Sequence, residues 1–65
     1  MIFLEPRSTY DEAIIRHKPK VVYDYNKIIM ILIRDLDCEW SEAVDFYCYN
    51  IQYLKHYGLK VENEK

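Results

Sequence analysis

Sixty-five residues, 51% of them hydrophobic, make one small domain and exclude a multidomain architecture or a disordered chain. A chain this short buries only about 60% of its unfolded surface, so a lone monomer is marginally stable. Eleven acidic against nine basic residues, a net charge of −2, argue against both a polyanion binder and a strongly acidic decoy.

Along the chain, residues 1–8 read as an extended piece. Met1-Ile2-Phe3-Leu4 runs straight into Glu5-Pro6-Arg7, too short an apolar stretch for a secretory leader. Ala13-Ile14-Ile15-Arg16 and Val21-Val22-Tyr23 then flank the Pro-containing loop His17-Lys18-Pro19-Lys20 and predict a β-hairpin. Thr9-x-x-Glu12 fits a capping box, so a short helix from Thr9 competes with the first strand over residues 9–16.

Asp24 is a good N-cap for a helix over about Tyr25–Leu36, where Tyr25, Ile28, Ile29, Leu32 and Leu36 recur on one face. Met30, Ile31 and Ile33 fall partly outside that face. Asp35-Leu36-Asp37-Cys38-Glu39 forms a corner, and a second helix is expected from Trp40 to Tyr57. Gly58, the chain's single glycine, stands at the left-handed capping position, with Lys55 and His56 in the last turn. Residues 59–65 read as a flexible tail. The expected architecture is α+β: a single small domain with an N-terminal β-hairpin packed on two antiparallel helices.

Chemical motifs are sparse. Asp35-x-Asp37-x-Glu39 begins like a calcium loop, but its sixth and twelfth positions hold Trp40 and Phe46 in place of glycine and glutamate. Cys38, Cys48, His17 and His56 lack CxxC or HxxxH spacing, so neither a metal nor another cofactor is expected. Two cysteines make no disulfide framework. Ser8 and Ser41 stand in no nucleophile context, and a lone glycine precludes a glycine-rich phosphate cradle. The expectation is a protein without catalysis. The longest apolar run, Ile28–Ile33, falls far short of the roughly 20 residues of a membrane helix. A cytoplasmic protein with no membrane partner is expected.

The aromatic residues of the last helix point to function instead. At about 100° per residue, Trp40, Ala43, Val44, Tyr47, Ile51 and Leu54 share one stripe, sufficient to dock on the first helix. Phe46, Tyr53 and Tyr57 form a second stripe, with Tyr49 on its flank, and Cys48 falls on the polar side. Either the hairpin and N-terminus cover the second stripe, or Phe46, Tyr49, Tyr53 and Tyr57 are a partner-binding surface, since tyrosine supplies contact area at low entropic cost. Self-association into a twofold homodimer would bury surplus apolar faces. A small nucleic-acid-binding regulator is the alternative, built on Arg16-His17-Lys18-Pro19-Lys20 and on stacking tyrosines.

Glu5-Pro6-Arg7, Val22-Tyr23-Asp24-Tyr25 leading into an Ile/Leu helix, and Glu42-Ala43 followed by Tyr49-Asn50 together resemble a group of small uncharacterised proteins of bacteria and their phages. The resemblance covers roughly residues 5–51. Where such proteins often run into a Gly/Thr-Pro segment, this chain continues through Tyr53-Leu54-Lys55-His56-Tyr57. The resemblance implies no established activity and no functional residue. It implies a mobile-element setting, in which small accessory proteins commonly bind and inhibit a host protein, including antiviral-defence components such as CRISPR effectors.

Overall fold

A computed structural model describes residues 3–64. Helix α1 (Arg7–Tyr10) and a 3₁₀ turn (Asp11–Ala13) lead into strands β1 (Ile14–Arg16) and β2 (Val22–Asp24). Helices α2 (Tyr25–Leu36) and α3 (Trp40–Asn50) follow, then a 3₁₀ segment (Gln52–Tyr57) and strand β3 (Lys60–Glu62). The class is α+β, as the sequence implies.

The competing readings of residues 9–16 both capture part of the structure. The chain is helical through Ala13 and extended from Ile14, where β1 pairs antiparallel with β2. Thr9 is no cap, because α1 already begins at Arg7 behind Pro6. The extended piece expected over residues 1–8 is therefore shorter, and its first two residues lie outside the described part.

Helix α2 has the predicted bounds. The Asp24 carboxylate accepts the backbone N–H groups of Asn26 and Lys27, satisfying two donors of the first turn. Tyr25, Ile28, Ile29 and Leu32 are buried as the periodicity requires. Ile31 is buried too, widening the apolar face, whereas Leu36 is about half exposed. At the other end Asp37 takes a left-handed conformation (φ 52°) and its N–H bonds to the Ile33 carbonyl, so an aspartate fills the role usually given to glycine.

The last helix departs from expectation in two ways. An α-helix covers only Trp40–Asn50; at Ile51 (φ −120°, ψ −42°) the backbone leaves helical geometry and tightens into the 3₁₀ segment, which Gly58 ends at φ 111°. The cap at Gly58 is as predicted, but the uninterrupted helix to Tyr57 is not. Its start is fixed by reciprocal bonds in which the Glu39 and Glu42 side chains accept each other's backbone N–H. Trp40, placed on the core stripe by the helical wheel, is 47% exposed at the first position of α3.

The segment expected to be a flexible tail is structural. Leu59 is 2% exposed within the core, and β3 pairs parallel with β2 (Val22↔Lys60, Tyr23↔Val61, Asp24↔Glu62). The hairpin thus becomes a mixed three-stranded sheet, β1-β2-β3, with β2 in the centre. Lys65 lies outside the described residues.

The core joins Tyr23, Ile28, Ile29, Leu32, Ala43, Tyr47, Ile51 and Leu59 between sheet and helices. Within it the Tyr23 hydroxyl accepts the Leu4 N–H at 2.8 Å, and Tyr25 meets Tyr47 edge to face at 4.9 Å. Among the described residues no helix is long and apolar enough to cross a membrane.

Candidate functional site

The bend at Ile51 decides which aromatic residues can act together. Residues of an α-helix advance by about 100°, those of a 3₁₀ helix by about 120°, so the wheel that aligned Phe46 with Tyr53 and Tyr57 does not hold past Asn50. Phe46 turns inward. It is half-buried against the core and lines an apolar cleft with Phe3, Leu4, Tyr10 and Leu54.

The other three candidates face outward. Tyr49 is 82% exposed, Tyr53 52% and Tyr57 72%. Tyr53 and Tyr57 hold each other edge to face, with ring centroids 6.3 Å apart and planes at 84°. Tyr49 lies one turn earlier, on α3. Beside them runs a groove of about 500 Å3 lined by Cys48, Gln52, Tyr53, Lys55 and His56. The site is thus the outer side of the α3 end and the 3₁₀ segment, with Tyr49, Tyr53 and Tyr57 retained and Phe46 assigned to the core.

A polar latch fixes this region from below. The buried Tyr47 hydroxyl donates to Glu64, and Lys55 Nζ donates to the same carboxylate at 2.6 Å. Burial, and then the bond to Glu64, push the Tyr47 hydroxyl far above its usual range, so it stays a donor. At Glu64 burial acts to raise the carboxyl pKa, but the bonds from Lys55 and Tyr47 and the Lys55 charge outweigh it, and the net shift is downward. Glu64, two residues after β3, thereby ties the end of the chain's last strand to α3 through Tyr47 and to the 3₁₀ segment through Lys55. Nothing in the sequence singled out Glu64, whose partners are 9 and 17 residues away.

The sheet carries a second concave surface. Arg16, Pro19, Lys20, Val22, Lys60 and Glu62 contribute to a groove of about 320 Å3, in which Arg16 pairs with Glu62. Sequence reasoning found the basic loop but missed Lys60, because its placement depends on the β2–β3 pairing. The thiols are free, Cys48 exposed and Cys38 half-buried with its Sγ directed at the Leu32 carbonyl. Among the described residues no group of three or more His, Cys, Asp or Glu is placed to hold a metal ion.

No family model, no curated protein and no solved structure matches the chain.

Proposed function

We propose that this chain is a non-enzymatic protein-contact module, a phage-type accessory protein that binds a host protein and inhibits it within the bacterial cytoplasm. An antiviral-defence protein such as a CRISPR effector is the target class that the resemblance suggests. The observation that carries the reading is the exposure of Tyr49 at the end of α3 and of Tyr53 and Tyr57 on the segment that Gly58 caps and Lys55 ties to Glu64. Pre-ordered aromatic rings lose little entropy on binding, which is why tyrosine is enriched at interface centres.

The test is a tagged pull-down from a bacterial host lysate with the wild-type chain and a Tyr49→Ala/Tyr53→Ala/Tyr57→Ala variant. The expected result is a host protein retained by the wild type and lost by a variant whose circular dichroism is unchanged. Equal capture by a folded variant would refute the assignment. The alternative, a small nucleic-acid-binding regulator, draws support from Lys60 joining Arg16 and Lys20 on the sheet. It ranks second because Glu62 sits in that groove and the chain is acidic overall.

A further inference from the structure

Charge is segregated along this chain, and the fold sharpens the segregation. From Ala13 to Tyr23 the sequence has Arg16, Lys18 and Lys20 and no carboxylate. The β3 pairing adds another cation: Arg16 is opposite Val22 in β1–β2, and Val22 opposite Lys60 in β2–β3, so these three share one row across the sheet. The register of β1 is irregular between Ile14 and Arg16, and Arg16, Val22 and Lys60 nevertheless line one groove. The result is the groove described above, in which the apolar Pro19 and Val22 stand among three cations, Arg16, Lys20 and Lys60, and one acid, Glu62. Among the described residues Lys20 and Lys60 have no carboxylate at ion-pair distance, Arg16 being the partner of Glu62.

The opposite surface is the corner between α2 and α3. From Asp35 to Leu54 there are five acidic residues and no lysine or arginine; Asp35 pairs with Arg34 at 3.3 Å, which among the described residues leaves Asp37, Glu39 and Glu42 as the unpaired acids of the corner. Two apolar side chains protrude among them, Leu36 and Trp40, each 47% exposed. The left-handed Asp37 and the reciprocal Glu39–Glu42 cap fix the shape of this knuckle. An acidic rim around apolar side chains is the complement of a mainly basic groove that holds apolar side chains. The two cannot meet within one molecule, because the 12-residue α2, about 18 Å long, separates the corner from Asp24 at the end of β2.

We propose that the acidic α2–α3 corner of one copy docks in the basic sheet groove of a second copy, joining copies head to tail. Such a contact is heterologous, in contrast to the twofold dimer that surplus apolar faces would suggest, and each added copy presents the same free groove or corner again. It leaves Tyr49, Tyr53 and Tyr57 unobstructed by the residues that make it, so association and partner capture are independent.

The experiment uses two variants of the full chain in sedimentation equilibrium, with circular dichroism as the folding control. Lys20→Glu/Lys60→Glu spoils the groove and keeps the corner. Asp37→Asn/Trp40→Ser spoils the corner and keeps the groove, asparagine being tolerated in the left-handed cap. The wild type should show a weight-average mass that rises with concentration in low salt and falls when salt is added. Each variant alone should stay at its 8.0 kDa monomer mass, with association weakened at least about tenfold. Mixed in equal amounts, the two should form a capped dimer that grows no further, because each supplies the face that the other lacks. If Lys60→Glu fails to fold, Lys18→Glu/Lys20→Glu on the loop replaces it. A wild type that is monomeric in low salt overturns the proposal, as does a mixture that stays monomeric. An oligonucleotide that binds the wild type more tightly than a second copy, and is lost with Lys20→Glu/Lys60→Glu, assigns the groove to nucleic acid and overturns it equally.

Discussion

Replacing Leu59 by alanine should damage this protein more than its place beyond the last helical turn suggests. Leu59 is 2% exposed and belongs to the core that Ile28, Leu32, Tyr47 and Ile51 also build. Truncating a fully buried leucine removes its transfer free energy and leaves a cavity, together about 2–5 kcal/mol. A 65-residue domain, at about 0.05–0.15 kcal/mol per residue, has roughly 3–10 kcal/mol in all. The substitution therefore removes about a fifth of the total or more. With about 4–8 °C of melting temperature per kcal/mol in a domain of this size, the midpoint should fall by at least about 8 °C. Thermal and urea unfolding followed by far-UV circular dichroism would measure it, at low protein concentration and high salt so that association does not contribute. Met30→Ala, at a site 62% exposed, is the control and should stay within about 0.5 kcal/mol of wild type. A Leu59→Ala protein as stable as Met30→Ala would show that residues 59–62 are not docked, and the three-stranded sheet would go with them.

Asp24→Ala should cost about 0.5–2 kcal/mol in urea unfolding, since two N–H groups of α2 lose their acceptor. Gly58→Ala should cost about 1 kcal/mol or more in the same assay, because φ 111° is hostile to a Cβ; no change would mean that the 3₁₀ segment ends differently. Glu64 has a folded pKa below its ordinary 4.5, so its stabilising contribution is complete above the unfolded value and is lost as pH falls through the lowered one. Glu64→Gln should accordingly be destabilised by a constant amount at neutral pH and converge on wild type in acid; a gap that persists at the lowest pH would assign the effect to packing. Tyr53→Ala should stay folded, losing no more than the roughly 0.5–1.5 kcal/mol of its ring pair with Tyr57, whereas Tyr47→Phe should lose about 1.5–3 kcal/mol with the bond to Glu64.

What was legible in the sequence was what is local. Asp24 announces α2 because a carboxylate before an apolar run has one common use, and the spacing of Ile28, Ile29 and Leu32 states which side is buried. The hairpin and the Gly58 cap are equally short-range signals. The bend at Ile51 has no breaker residue to mark it; every residue from Trp40 to Tyr57 is compatible with a continuous helix. That one bend separates Phe46 from Tyr53 and Tyr57, so the composition of the candidate site followed a feature without a sequence signature. Strand β3 was hidden for a related reason. Lys60-Val61-Glu62 contains a single apolar residue, and only its distant partner β2 makes it a strand. Trp40 looked like core because a helical wheel has no ends, whereas the helix does.

The parallel pairing of β2 with β3 also fixes an order of events in the cell. The central strand is synthesised early, but its second neighbour emerges after both helices and the 3₁₀ segment have left the ribosome. Until then one side of β2 presents unpaired backbone groups, a template on which any extended segment can add. Leu59 and Glu64 close that open edge by docking and tethering the last strand, so the sheet is complete only when the final residues are in place.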